Sequence, residues 1–134
     1  MNPDRDEIGK ILKKAKRIAV VGLSDNPART SYQVSEAMQQ AGYEIVPVNP
    51  NCKETLGQKS YRSLSEIEGN VDIVNVFRRS EHLVGVAEEA SKIDADVFWT
   101  QLGLESEEAY RIASEAGMTV IMDRCIKVEH AITK

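Results

Sequence analysis

A parallel α/β sheet, doubly wound with helices on both faces, is the fold this sequence predicts. Three observations predict it. Short β-rich runs alternate with amphipathic helical stretches along nearly the whole chain. The apolar runs are about five residues long, the length of a buried strand. Glycines stand just after two of the helical stretches, at Gly42 and Gly117, where a chain leaves a helix. The 134 residues suffice for one domain spanning 1–134, and a domain of that size buries about 70% of its unfolded surface without disulfides or metal.

The elements follow in order. Asp4 to Ala15 carries Ile8, Ile11, Leu12 and Ala15 at helical spacing. Arg17 to Val21 reads as the first strand. Ser31 to Ala41 is a helix with Val34, Ala37, Met38 and Ala41 on one face. Glu44 to Val48 is the second strand; Pro47 lacks an N–H, so the end of that strand belongs where a ladder bond is dispensable. Asn49 to Ser60 reads as a connection and Leu64 to Ile67 as one helical turn. Val71 to Phe77 is the third strand. Ser80 to Ile93 is a helix with Leu83, Val86, Ala87 and Ala90 on its apolar side. Val97 to Thr100 is the fourth strand, Ser106 to Ala116 a helix capped by Ser106, and Thr119 to Met122 the fifth strand. Asp123 to Lys134 is polar and mixed, a loop and a short helix. Right-handed crossovers wind such a chain into a Rossmann-like five-stranded parallel sheet with expected strand order 3-2-1-4-5.

Composition narrows the function. Hydrophobic residues make up 42% and charged residues 28%, with 17 basic against 21 acidic and a net charge of -4. That balance argues against nucleic acid and against a basic membrane anchor as partners. No apolar run approaches the ~20 residues that span a bilayer, and Met1 to Lys16 has no signal-peptide core. Cys52 and Cys125 have no C-x-x-C spacing, which points away from zinc and towards a reducing cytoplasm.

In doubly wound sheets ligands bind beyond the carboxyl ends of the strands, so the residues after each strand are the candidates. After the first strand comes Gly22-Leu-Ser-Asp-Asn-Pro-Ala-Arg-Thr-Ser31-Tyr32. Gly22 permits close approach to backbone. The helix that follows offers free N–H groups and a positive dipole end for a phosphate, with Ser24, Thr30, Ser31 and Arg29 beside it. The segment is not a dinucleotide fingerprint, because Ser24 and Pro27 stand where further glycines are needed, and no G-K-[ST] follows. After the second strand, Val48-Asn49-Pro50-Asn51 lacks the acid that holds an NAD ribose, and Lys53 lies nearby. Asn49 and Lys53 read equally as loop residues. After the third strand, Arg78 and Arg79 stand where a helix start normally favours acids, a breach of local preference that marks functional sites. Pairing with Glu81 or Glu105 is the plain alternative, and Arg78 is the preferred ligand contact. Thr100-Gln101-Leu102-Gly103 follows the fourth strand. After the fifth, Cys125 and His130 read either as nucleophile and base or as a small thiol and a surface histidine. His82 reads as a solvated helix residue.

Five stretches together, V-V-G-L-S-D-N-P-A-R-T-S-Y at 20–32, G-Y-E-I-V-P-V-N-P at 42–50, V-D-I-V-N-V-F-R-R-S-E at 71–81, W-T-Q-L-G-L at 99–104 and M-D-R-C-I-K-V-E-H at 122–130, resemble the small CoA-binding protein family. The fold of that family is similar to the nucleotide-binding N-terminal domain of the succinyl-CoA synthetase alpha subunit. The resemblance implies coenzyme A or an acyl-CoA as ligand. It implies that Gly22, Ser24, Asn26, Arg29 and Ser31 hold the pyrophosphate. Val48, Asn49 and Pro50 would flank the 3′-phosphorylated adenosine, with Lys53 as charge partner. Phe77 and Arg78 would line the nucleotide or the start of the pantetheine arm, and Gln101 would lie towards the thiol. The synthetase subunit continues into a second domain with a phosphorylated histidine, which has no counterpart in this sequence, so the expectation is a carrier, sensor or regulatory module that binds rather than ligates. An acyl-CoA thioester-processing enzyme using Cys125 or Asp123 and an NAD(P)-binding protein remain the alternatives. A protein partner and the acyl group stay open.

Overall fold

The computed structural model describes residues 2–134. Five parallel strands form one sheet: β1 (Arg17–Val21), β2 (Glu44–Val48), β5 (Val71–Val76), β6 (Ala95–Thr100) and β7 (Thr119–Ile121). A small antiparallel hairpin, β3 (Glu54–Thr55) with β4 (Gln58–Lys59), lies within what the sequence offers only as a connection. The helices are α1 (Arg5–Lys14), α2 (Thr30–Gln40), α3 (Leu83–Ala90), α4 (Glu107–Glu115) and α5 (Ile126–Thr133).

Period-two alternation puts successive residues of each strand on opposite faces. On β1, Ile18 and Val20 face one layer and Ala19 and Val21 the other. The first layer holds Ile8 and Leu12 of α1, Val34 and Met38 of α2 and Ile126 of α5, packed with Trp99. The second holds Leu83, Ala87 and Ala90 of α3 with Ala109 and Ala113 of α4. The α/β class and the two helical faces are therefore as the sequence predicts. Helix ends follow their chemistry. The Asp4 carboxylate caps α1 by accepting the Glu7 N–H at 2.9 Å, and Ser106 Oγ caps α4 by accepting the Ala109 N–H at 3.1 Å. The helix expected over 80–93 is instead a 3-10 turn, Ser80–His82, followed by the shorter α3.

The strand order differs from expectation. The sheet runs β2-β1-β5-β6-β7, which is 2-1-3-4-5 when its strands are counted along the chain, not 3-2-1-4-5. The third strand lies beside β1 because the outer edge of β2 is taken. There Pro47 accepts from the Tyr61 N–H at 2.9 Å, and the Asn49 N–H donates to Tyr61 O at 2.8 Å. Pro47 turns its missing donor to that side, so β2 is an edge strand and loses no bond to β1. At the opposite edge, the Asn2 amide donates to Met122 O at 2.8 Å and accepts the Met122 N–H at 2.7 Å, just past the end of β7.

The order moves the reversal point. It lies between β1 and β5, where Gly22 and Phe77 leave the sheet, rather than between the first and fourth strands.

Candidate functional site: a two-chambered groove over the sheet

Gly22 has φ +88°, and a β-carbon there would come within 2.6 Å of Phe77 O. Only glycine permits the chain after β1 to pass so close to β5. The Gly22 N–H donates to Val48 O, and the Phe77 N–H donates to Val21 O, both at 2.8 Å. Three strand ends are thus stitched into one floor.

Two chambers open over it. The first, about 540 Å³, is lined by Gly22, Arg29, Asn49, Arg62, Arg78 and Arg79 among others. Val48, Pro50, Phe77 and Val86 supply its apolar walls. Glu89 is its one carboxylate among the described residues, and that carboxylate already accepts the Leu64 N–H. The second chamber, about 360 Å³, is lined by Thr30, Gln101, Leu102, Leu104 and Cys125 together with Phe77, Arg78 and Arg79. The last three line both, so the chambers form one groove. Its first half is polar and cationic, its second half largely apolar.

The N-terminus of α2 stands at the junction, with Arg29 on one chamber and Thr30 on the other. Arg29 is the N-cap, extended at φ -83° and ψ 145°, and no side chain caps the helix or places an acid in its first turn. Free N–H groups, a positive dipole end and guanidinium groups without acidic partners therefore converge on one place. The side chains of Arg29, Arg62 and Arg78 have no partner among the described residues. Arg79 makes only a loose 3.7 Å contact with exposed Glu81, the plain pairing the sequence left open. Four cations gathered in a chain of net charge -4 repel one another unless an anion lies between them.

The other sequence-derived candidates take different places. Ser24, Asn26 and Ser31 shape the loop. Ser31 Oγ accepts the Ser24 N–H, Ser24 Oγ accepts the Asn26 N–H, and Asn26 Oδ1 accepts the Ala28 N–H, each at 3.0 Å. Asn49 lines the first chamber, but its amide is engaged: it donates to Leu23 O at 3.0 Å and accepts the Asn51 N–H at 2.9 Å. Val48 and Pro50 stand on the wall. Lys53 is exposed, just ahead of the hairpin, and is not among the residues lining either chamber. Gln101 is buried; it donates to Asn75 Oδ1, and its Oε1 accepts the Ile126 N–H at 3.4 Å, seating the start of α5 and with it Cys125.

Cys125 and His130 do not form a pair. Cys125, half-buried, is the N-cap of α5 and faces the second chamber, whereas His130 packs edge-to-face on Tyr43 and lines a separate hollow with Gly42 and Lys16. A larger hollow of about 800 Å³ near Asn2 and Tyr110 carries Glu105, Glu107 and Asp123 against Arg124 alone, a poor match for a polyphosphate. Sequence reasoning missed Arg62, Ser63, His82 and Val86 as groove residues. The one signal for Arg62 and Ser63 was Pro47, which places the chain after β2 along the edge.

A family model described as a CoA binding domain matches residues 16–131. The chain belongs to the CoA-binding domain family. Within that family it is 65% identical over 133 residues to the uncharacterized protein YneT of Bacillus subtilis, covering 99% of this chain and 98% of that one. It is 30% identical over 123 residues to the alpha subunit of an ADP-forming acetate–CoA ligase II from Pyrococcus furiosus, covering 83% of this chain and 27% of the subunit. A solved structure of a hypothetical protein from Pyrococcus horikoshii superposes with a TM-score of 0.94 at 34% identity, covering 98% of this chain and 92% of that one. The CoA-binding domain thus accounts for most of this chain, and the stretch aligned with the ligase subunit spans about a quarter of that subunit.

Proposed function

We propose that the protein binds coenzyme A or an acyl-CoA along the groove as a carrier, sensor or regulatory module, residues 1–134 acting as one domain. The observation that carries the reading is the division of the groove into a cationic chamber and an apolar chamber that meet at the N-terminus of α2. CoA has the same division: a nucleotide with three phosphate groups at one end and a long, largely uncharged arm ending in a thiol at the other. In this reading Arg29, Arg78 and the free N–H groups of α2 hold the diphosphate at the junction. Gly22, Val48, Pro50 and Phe77 give the adenosine its floor and walls. Ser24, Asn26, Ser31 and Asn49 hold the loops in shape, and Gln101 positions the far end. Membership of the family supports the ligand class.

A second reading is favoured by one observation. Cys125 lines the apolar chamber, towards which the thiol end would run, so an acyl group carried on CoA would lie near a protein thiol. Acyl transfer would then pass the acyl carbon from the CoA sulfur to Cys125 Sγ, the old thioester bond breaking as the new one forms and the Cys125 thiol proton ending on the departing CoA sulfur. An NAD(P) reading has less support, since no acid stands at the end of β2 and the Asn49 amide is already engaged.

The test is a thermal-shift series with CoA, acetyl-CoA, ADP, NAD and NADP, followed by titration calorimetry. A ligand at 100 times its Kd adds about 2.7 kcal/mol, a rise of roughly 8–16 °C for a domain of this size. A rise for CoA and none for NAD is expected. A rise for NAD alone, or for none of them, overturns the reading.

A further inference from the structure

The first chamber has lining residues that the apolar chamber does not share. Arg62, Ser63, His82, Val86 and Glu89 line the first chamber only, whereas Arg78 and Arg79 line both. Two groups capable of positive charge, Arg62 and His82, therefore add to the cations of the first chamber without lining the second. They reach this place from distant parts of the sequence. Arg62 follows Tyr61, which is bonded to the edge of β2, and His82 closes the 3-10 turn that leads into α3. The Arg62 guanidinium has no partner among the described residues. Its backbone is held independently, the Arg62 N–H donating to Glu66 Oε1 at 2.9 Å. The carboxylate on this wall, Glu89, accepts the Leu64 N–H and so is already engaged. Two further acids stand nearby: Glu66, whose carboxylate takes the Arg62 N–H, and Glu81, which is exposed and touches Arg79.

A phosphomonoester carries about -1.5 to -2 charges at neutral pH and three strong acceptor oxygens. It suits a free guanidinium fork with a hydroxyl and an imidazole beside it. We infer that Arg62, with Ser63 and His82, forms a second anion subsite that recognises the 3′-phosphate of the bound nucleotide and so selects CoA over its 3′-dephosphorylated form. The inference rests on the CoA reading above and transfers to Arg62 the role that the family resemblance implied for Lys53.

Calorimetric titration of CoA and dephospho-CoA into the wild type, Arg62→Gln, His82→Asn and Lys53→Gln tests it. Arg62 is exposed and its side chain is unpaired, so the substitution leaves folding intact, checked by an unchanged Tm. The wild type is expected to favour CoA. Arg62→Gln should weaken CoA about tenfold, the loss of one charge-assisted bond, and leave dephospho-CoA within twofold. His82→Asn should shift the ratio the same way by a smaller factor, and Lys53→Gln should not shift it. Equal weakening of both ligands, no change in either, or a ratio carried by Lys53 overturns the subsite. A wild type that binds both ligands equally overturns the subsite and leaves CoA binding standing. A wild type that binds neither overturns both.

Discussion

The carbonyl oxygen of Phe77 lies 2.6 Å from where a β-carbon on Gly22 would stand. No side chain of any size fits, and φ +88° is itself unfavourable for an L-residue. Gly22→Ala must therefore push β1 and β5 apart at the mouth of the groove. The expected cost is about 2–3 kcal/mol, from backbone strain and the lost strand-end bonds. Urea denaturation of the variant against the wild type measures it. A cost under about 0.5 kcal/mol, the range of ordinary surface substitutions, contradicts the close approach.

Arg29 stands at the N-cap of α2 with no acidic partner among the described residues. Arg29→Ala should weaken CoA binding by about 1.5–3 kcal/mol, the contribution of a charge-assisted hydrogen bond. Stability should scarcely change, because the side chain is exposed and caps nothing. Calorimetry reads the affinity, and a change within about 0.3 kcal/mol removes Arg29 from the site.

Cys125→Ser separates the two readings of the groove. The hydroxyl is close in size to the thiol, so CoA affinity should hold within about twofold, well inside the factor of ten that 1.4 kcal/mol represents. If the protein turns over acyl-CoA through Cys125, release of free CoA, followed with a thiol reagent, should vanish in the variant. Turnover that survives rules the thiol out as nucleophile.

Tyr43 links the far end of the molecule to alkaline stability. Its hydroxyl donates to Leu12 O, and burial raises its pKa above the usual 10.0. The folded state thus holds the phenolic proton more tightly than the unfolded chain does. The associated stability is complete below pH 10.0 and is lost as pH rises through the higher folded value. Tyr43→Phe should cost about 1 kcal/mol at neutral pH by removing the bond to Leu12. It should also flatten the alkaline loss, read from Tm between neutral pH and pH values above that of free tyrosine. An alkaline slope unchanged in the variant would assign the loss elsewhere.

Much of the architecture was legible because it is local. The short apolar run Ile18–Val21 and the helical spacing of Val34 and Met38 each encode burial within a few residues. The sheet order was not legible in the same way. The crossover from β2 to β5 takes more than twenty residues, and nothing within it states on which side of β1 the third strand lands. Pro47 held the answer, since a residue without an N–H marks an edge, and the expected order would have made β2 internal. The site divides likewise. Gly22, Arg29 and Arg78 were legible because they lie in the segments that leave the carboxyl ends of strands. Arg62 was not, because the bonds of Tyr61 bring it to the groove from the connection after β2, and His82 was not, because the helix expected from Ser80 begins instead with a 3-10 turn. Lys53 is the converse: a cation near the right strand end in sequence, carried off the cavity wall by the chain entering the hairpin.

The two margins of the sheet have one more consequence. An open strand presents a row of bare N–H and C=O groups, which invites a strand from another molecule to add on. Here Tyr61 covers one margin and the Asn2 amide closes the end of the other, where β7 has only three residues. Copies of this chain that meet at high concentration therefore find the end of one margin occupied and only the three residues of β7 open on the other, a short template for strand addition.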